Sequence, residues 1–199
     1  MNYLAHAWLS FHQSEILVGN MISDFVKGKS RFNYPDGIQS GITLHRNIDT
    51  FTDEHDVTKQ AKQYFRNVVG LYAGAFVDVT YDHFLACDVN EFPGEKNLLD
   101  FSHFVYNTLE PYQDILPERF GRMFPYMKKE NWLYNYRTLW GAEKSFGGLM
   151  HRAKYLEYNS VVFECLEKNY LPLKECYNNF FPDVKKFAHQ QLVAIHNLK

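Results

Sequence analysis

Acidic and imidazole side chains recur in the first half of this chain, within segments that are otherwise apolar. The residues concerned are His6, Asp24, His45, Asp49, Asp78, Asp82 and His83. An unpaired charge is costly to bury in apolar surroundings, so each of these groups needs a partner or a cation. Imidazole nitrogens and carboxylate oxygens together are typical ligands of divalent metals. The pattern therefore predicts a metal centre built from several segments.

The spacing of the acids Asp78 and Asp82 places both carboxylates on one face of a helix, four residues apart. Like charges at this spacing repel each other, and a cation between them would remove the repulsion. Pairing with Arg46 or Arg66, or solvation at the rim of the core, would have the same effect. The pair by itself leaves these alternatives open.

His45 and Asp49 share a helical stripe with Ile38 and Ile42, which should face the core. A lone histidine on such a stripe is more often a hydrogen-bonded core residue. With an acid one turn away, His45 can instead be a metal ligand with its orienting partner, or half of a catalytic pair. The adjacent Arg46 suits bidentate contact with a phosphate, or is a structural or surface arginine.

His6 and Asp24 belong to the two preceding helical segments, and Asp24 follows Asn20 by one turn. A single acid in this position is usually a capping residue, and each of these residues taken alone favours a structural role. Taken together, four helices each bring a metal-competent residue to what should be one core. The joint pattern is what favours a metal site.

Length and composition indicate a globular protein of ordinary size. The chain has 199 residues, of which 46% are hydrophobic and 22% charged, and its formal net charge is −2. This charge gives no reason to expect nucleic-acid binding, and neither a signal peptide nor a membrane-spanning run is predicted. Three cysteines without a CxxC pair suggest reduced thiols and a cytoplasmic location.

The elements that must position these residues are predicted to be helices throughout, because apolar residues recur at helical spacing and no alternating run is convincing. The fold class is therefore all-α, a single domain over residues 1–199. Asn2 is predicted to cap the first helix, a loop over 29–34 precedes the third helix, and Gly70 is a candidate break in the region 58–87. The later helices are predicted at about 97–110, 117–128, 130–139, 141–150, 155–169 and 172–196.

Four blocks of the sequence resemble the acyl-carrier-protein phosphodiesterase family in content, order and spacing. They cover residues 2–7, 19–28, 41–53 and 78–85. The resemblance implies an all-helical bundle, distantly similar to the HD-domain metal-dependent phosphohydrolases. It also implies an enzyme that removes 4′-phosphopantetheine from the serine of holo-acyl carrier protein, a partner in fatty acid biosynthesis. A divalent metal is implied, Mn²⁺ first, with Fe²⁺, Zn²⁺ or Mg²⁺ also compatible.

On this sequence the resemblance implies metal-site positions at His6, Asp24, His45, Asp78 and Asp82, with His83 adjacent. The dyad Asp82-His83 has the acid first, unlike the standard HD motif, so the ligand geometry of HD enzymes cannot be copied here.

Roles in catalysis follow from the implied reaction. Arg46 would neutralise charge that develops on the phosphoryl group, and His83 would protonate the leaving serine oxygen. Asp49 would orient His45 or the attacking water.

Recognition of the acidic carrier protein is assigned to Lys27, Lys29 and Arg31, although a solvated loop is the alternative. Aromatic residues of the second half would wall a groove for the pantetheine arm, or belong to the core. They are Trp132, Tyr134, Tyr136 and Trp140.

Two rival functions use the same residues. One is a metal phosphohydrolase that acts on a small nucleotide or another phosphodiester without a protein partner. The other is a non-catalytic helical binding module with an internal salt-bridge network, in which the acids stabilise the fold and no metal binds.

Overall fold

The chain folds into helices joined by short turns in the computed structural model, which describes residues 1–153 and 160–197. The helices are α1 (Tyr3–Trp8), α2 (Ser14–Ile22), α3 (Asp36–Glu54), α4 (Asp56–Val69), α5 (Ala73–Ala86), α6 (Glu95–Leu109), α7 (Glu118–Lys129), α8 (Trp132–Asn135), α9 (Leu139–Arg152), α10 (Val161–Lys168) and α11 (Tyr170–Asn197). Short 3-10 segments occur at Ser23–Phe25, Gly28–Asn33, Gly70–Tyr72 and Glu110–Ile115. No strand occurs in these two ranges, which confirms the all-α prediction.

Helices α2 and α3 pack closely enough for their backbones to touch. A Cβ atom on Gly19 would lie 2.1 Å from the carbonyl oxygen of Ile38, and one on Gly41 would lie 2.2 Å from that of Ile16. No L side chain fits at either position, so the contact requires glycine on both helices. The close approach places the buried Asn20, which follows Gly19, directly against the face of α3 that carries His45.

Helix α1 is held at its start by an acid from α5. The carboxylate of Asp82 accepts hydrogen bonds from the backbone N–H of Leu4 at 2.7 Å and of Ala5 at 3.1 Å. Asn2 occupies the N-cap position as predicted, but its side chain makes no capping hydrogen bond and instead donates to the hydroxyl of Tyr136 at 2.8 Å. The first-turn N–H groups of α1 therefore depend on a carboxylate that is distant in sequence.

One predicted boundary has a clear backbone cause. Gly70 separates α4 from α5 with a φ of 57°, in the left-handed region that glycine tolerates, so the predicted break is confirmed. The segment predicted as a loop over 29–34 is mostly the 3-10 helix Gly28–Asn33. The part 155–159 of the predicted helix 155–169 lies outside the described residues, and the described remainder contains α10.

The core is rich in aromatic side chains. Phe65, Phe76 and Phe146 are fully buried and contact one another across α4, α5 and α9, with ring centroids 4.9–6.1 Å apart. This packing fixes α5, which in turn carries the carboxylate that holds α1. In the described part of the chain, no helix combines the length and apolar character that crossing a bilayer would need.

Candidate metal centre

Two buried histidines from different helices stack face to face at the centre of the predicted site. The ring centroids of His6, on α1, and His45, on α3, are 3.8 Å apart with an angle of 14° between the ring planes. Side chains of both residues are nearly inaccessible to solvent. The stacking sets the two Nε2 atoms side by side, facing the same space.

The fully buried Asn20 of α2 fixes the orientation of both rings. Its side-chain oxygen lies 2.8 Å from Nδ1 of His6 and 3.1 Å from Nδ1 of His45. Its Nδ2 donates to the carbonyl of His6 at 2.8 Å and to Ser10 Oγ at 3.1 Å, which identifies the oxygen as the atom facing the rings. His45 Nδ1 also lies 2.7 Å from the backbone oxygen of Asn20.

An amide oxygen can only accept, so Nδ1 of each ring carries the proton. In a neutral imidazole of this tautomer, Nε2 presents a lone pair. The two Nε2 atoms point at the carboxylate of Asp49, His6 at 3.1 Å from Oδ1 and His45 at 3.1 Å from Oδ2. Three acceptor groups therefore converge, and a positive charge is needed between them.

The pKa shifts show how a proton on one histidine supplies this positive charge. Burial, followed by the nearby His45, lowers the pKa of His6 to about 4, which keeps that ring neutral. Burial also lowers the pKa of His45, but Asp24 and Asp49 outweigh it and raise the value to about 9. Burial would raise the pKa of Asp49, yet the two histidines hold it well below its usual range. A proton on His45 thus leaves the neutral Nε2 of His6 still facing a carboxylate oxygen.

This donor set fits a divalent cation. Ligand atoms of His6, His45 and Asp49 all lie within 4.8 Å of one another. Both histidines have their second nitrogen hydrogen-bonded, which is how metal-binding histidines are usually oriented. Two imidazole nitrogens with a carboxylate suit a divalent first-row metal such as Mn²⁺, Fe²⁺ or Zn²⁺.

Asp24 and Asp78 lie at the rim of the cluster that His6, His45 and Asp49 form. Asp24, in the 3-10 segment after α2, has Oδ1 3.2 Å from Nε2 of His45, and its side chain is 68% exposed. Asp78 contacts the amino group of Met1 at 2.9 Å, and that amino group is 3.6 Å from Asp49 Oδ1. Both acids therefore border the cluster from its open side.

The structure does not bring Asp82 and His83 to the cluster. Asp82 is fully buried beneath the start of α1, and burial raises its pKa to about 7 although two N–H groups bond to it. His83 faces a different neighbour, with Nδ1 2.7 Å from the carbonyl of Tyr136 and Nε2 2.9 Å from the hydroxyl of Tyr170. The geometry gives these two residues structural contacts instead.

The predicted basic residues either belong to the segment after Asp24 or bond to it. Arg46 donates from Nη2 to the carbonyl of Val26 at 2.9 Å, which ties α3 to the segment after Asp24. Lys27 and Lys29 are exposed and Arg31 is half-buried, with its guanidinium 4.6 Å from the ring centroid of Phe32.

Asn20 is the site residue whose role the sequence reasoning missed. An amide that is completely buried in the apolar helix α2 needs polar partners, and this requirement is visible in the sequence. The partners themselves lie on α1 and α3, so spacing within α2 alone does not reveal them.

Comparison with known proteins assigns the chain to a family. The family model for acyl carrier protein phosphodiesterase matches residues 1–184. The chain belongs to the acyl carrier protein phosphodiesterase family. An acyl carrier protein phosphodiesterase of Yersinia pestis is 31% identical over 193 residues, covering 96% of this chain and 100% of the relative. Proteins of the same name from Photorhabdus laumondii and Klebsiella pneumoniae are each 30% identical over 191 residues, covering 96% of this chain and 96% and 99% of theirs.

Membership of the acyl carrier protein phosphodiesterase family makes this protein a hydrolase and confirms the predicted family. The matched segment contains every residue of the cluster and its rim. No solved structure matches the chain, so the similarity to HD-domain enzymes stays a prediction.

Proposed function

We propose that this protein hydrolyses the phosphodiester that joins 4′-phosphopantetheine to the serine of holo-acyl carrier protein, leaving the apo-protein. Relatives that carry the name acyl carrier protein phosphodiesterase match nearly the full chain. The observation that carries the proposal is the convergence of three acceptor groups, His6, His45 and Asp49, in a buried cluster. The chain of 199 residues would act as one domain, in the cytoplasm.

A divalent metal is part of this proposal, with Mn²⁺ as the first candidate and Fe²⁺, Zn²⁺ or Mg²⁺ as alternatives. His6, His45 and Asp49 would hold it, and Asp24 and Asp78 would complete the ligand set from the rim. When bound, such an ion lowers the pKa of a water molecule and polarises phosphoryl oxygens, which is the chemistry that phosphodiester cleavage requires.

The residues that would hold the ion have distinct tasks. Asn20 holds both rings with Nε2 directed inward, so no reorientation is needed when substrate arrives. Asp49 spans both rings with its two oxygens, which fixes its carboxylate plane. We do not assign protonation of the leaving serine oxygen to His83, because Tyr136 and Tyr170 occupy both of its nitrogens.

Docking of the carrier protein is proposed at the exposed segment after Asp24. Lys27, Lys29 and Arg31 follow this rim acid directly in sequence, and their charges suit the acidic surface of a carrier protein. Arg46 supports this segment through its bond to Val26, and its charge would add to the positive potential there. No nucleic acid or membrane partner is proposed.

Intact mass spectrometry of the carrier protein tests the proposal. Holo-acyl carrier protein is incubated with the purified enzyme and Mn²⁺, with and without a chelator. We expect loss of the phosphopantetheine mass in the presence of Mn²⁺ only. Asp49→Ala should abolish this loss, because the carboxylate that faces both Nε2 atoms is removed. His103→Ala is the matched control, since His103 is exposed on α6 outside the cluster.

Other outcomes would refute specific parts of the proposal. An unchanged carrier mass, together with cleavage of a small phosphodiester, would favour the rival phosphohydrolase. A protein that binds no divalent metal, and whose Asp49→Ala variant differs from wild type only in stability, would favour the binding module.

A further inference from the structure

Two adjoining chambers lie beside the candidate metal cluster formed by His6, His45 and Asp49. The inner chamber, of about 290 Å³, is lined by Asp24, Asp78, Arg119 and Arg152 among others. The outer chamber, of about 480 Å³, is lined by the aromatic rings of Trp132, Tyr136 and Trp140 among others. Asn2, Tyr3 and Arg152 line both, so the two spaces adjoin each other.

The inner chamber has charges of opposite sign on its walls. Asp24 and Asp78 belong to the rim of the metal cluster, whereas Arg119 comes from the first turn of α7 and Arg152 from the last turn of α9. In the described part of the chain, neither arginine forms an ion pair with an acidic side chain. An anion bound in this space would therefore meet two guanidinium groups without displacing an existing partner.

Tyr3 provides a second observation that these charges share one space. Its hydroxyl group lies 3.9 Å from the sulfur of Met123, which also lines the inner chamber. Burial and then the charge of Asp24 raise the pKa of Tyr3, whereas Arg152 and Arg119 lower it, and together these effects raise the value to about 12. The charges of both guanidinium groups and of Asp24 therefore all affect the pKa of the same hydroxyl group.

The outer chamber suits an elongated, mainly apolar chain with a few amides. Trp132 and Trp140 supply large flat surfaces, and Asn135 and Ser145 supply hydrogen-bonding groups. Its volume lies within the range of about 300–1,000 Å³ that is usual for small-ligand sites. The adjoining arginines give the site one cationic end that suits an anion, and the tryptophans give it one mainly apolar end, whose walls also include Glu130 and Lys144.

We propose that Arg119 and Arg152 bind the phosphodiester of the phosphopantetheine group, and that the outer chamber receives the pantetheine arm. This proposal rests on the function proposed above and names the residues that would select the substrate. The phosphorus would lie between the arginines and the metal cluster, and the arm would extend past Tyr3 along Trp132 and Trp140. Of the four aromatic residues singled out in the sequence, only Tyr134 lies outside this chamber.

Calorimetric titration of the protein, supplied with Mn²⁺, tests the end that contains the two arginines. We expect Arg119→Gln and Arg152→Gln each to weaken binding of 4′-phosphopantetheine by about 10- to 100-fold, the effect of one lost charge-assisted hydrogen bond. Arg122→Gln is the matched control, because Arg122 lies on the same helix, is exposed and pairs with Glu118. All three should bind Mn²⁺ and unfold like the wild type.

A second pair of variants tests the apolar end. Trp140→Ala should weaken binding of 4′-phosphopantetheine but leave binding of inorganic phosphate unchanged, since Trp140 touches only the arm. Its side chain is 57% exposed, so removal should cost little stability. Tyr126→Ala is the control, an aromatic residue of α7 that is 62% exposed and lines neither chamber.

Three results of the binding measurements would overturn this proposal. They are no measurable binding of 4′-phosphopantetheine, arginine variants that bind it like Arg122→Gln, and a wild type that binds it no better than inorganic phosphate. The mass assay on the carrier protein gives a separate answer about function. Arginine-dependent binding without cleavage of holo-carrier protein would refute the proposed function alone, and cleavage unaffected in both arginine variants would refute this site alone.

Discussion

Replacing Asn20 with alanine should show how much of the Mn²⁺ affinity depends on the orientation of the two histidines, because both rings stay in place while the amide that orients them is removed. The amide makes four hydrogen bonds, to Nδ1 of His6 and His45, to the carbonyl of His6 and to Ser10 Oγ. After the substitution His45 Nδ1 keeps the backbone oxygen at 2.7 Å, and the carbonyl of His6 keeps the hydroxyl of Ser10 at 2.8 Å. Only Nδ1 of His6 loses its partner completely.

The magnitude follows from this inventory. One buried donor without a partner costs about 1–3 kcal/mol of unfolding free energy. For a chain of this size, that lowers the melting temperature by roughly 2–4 °C per kcal/mol. Loss of the group that orients a metal-binding histidine typically reduces metal affinity about 10- to 100-fold. We therefore expect Asn20→Ala to fold, to melt several degrees earlier and to bind Mn²⁺ much more weakly.

Calorimetric titration with Mn²⁺ and thermal unfolding measure the two effects. Ser10→Ala is the matched control, because Ser10 bonds to the carbonyl of His6 and to Asn20 but not to either ring. It should lose some stability and keep most of its Mn²⁺ affinity. ¹⁵N NMR of the imidazoles should show a changed tautomer for His6 alone. An Asn20→Ala protein with wild-type Mn²⁺ affinity would refute the orientation argument.

Three further predictions concern the scaffold and the metal. Gly41→Ala should destabilise the protein by about 1–3 kcal/mol in chemical denaturation, because its Cβ would meet the backbone of α2. Gly74→Ala is the control and should be neutral or stabilising, because its Cβ would meet only the flexible end of Lys62. Asp82→Ala should cost about 2–5 kcal/mol by leaving two buried N–H groups of α1 without an acceptor, and a melting temperature equal to that of the wild type would contradict this. A chelator should lower the melting temperature of metal-loaded protein, because metal at about 100 times its Kd adds about 2.7 kcal/mol of stability, and Asp49→Ala should show no such shift.

The helical fold could be predicted because most segments carry a clear 3.6-residue period. His45 and Asp49 could be placed on one face for the same reason, since residues four apart on a helix always share a side. The break at Gly70 was visible because glycine alone takes a left-handed conformation without strain.

The partners of a side chain across helices were harder to predict. The spacing of Asp78 and Asp82 is compatible with a shared cation, yet the two carboxylates meet different neighbours. Asp82 accepts from Leu4, 78 residues away, and Asp78 contacts the amino group of Met1. Periodicity indicates which face of α5 is buried, but it does not indicate which helix end lies against that face. The contacts of His83 with Tyr136 and Tyr170 are hidden for the same reason.

The long-range attachment of α1 bears on the order in which the protein is made. His6, His45 and Asp49, the three clustered residues, occur at or before position 49, so a growing polypeptide carries them before α5 has been synthesised. The carboxylate that fixes the start of α1 arrives only with residue 82. We therefore expect nascent chains that end before α5 to capture metal weakly, and tight capture to begin once α5 has docked. Metal uptake would then mark a late stage of folding rather than initiate it.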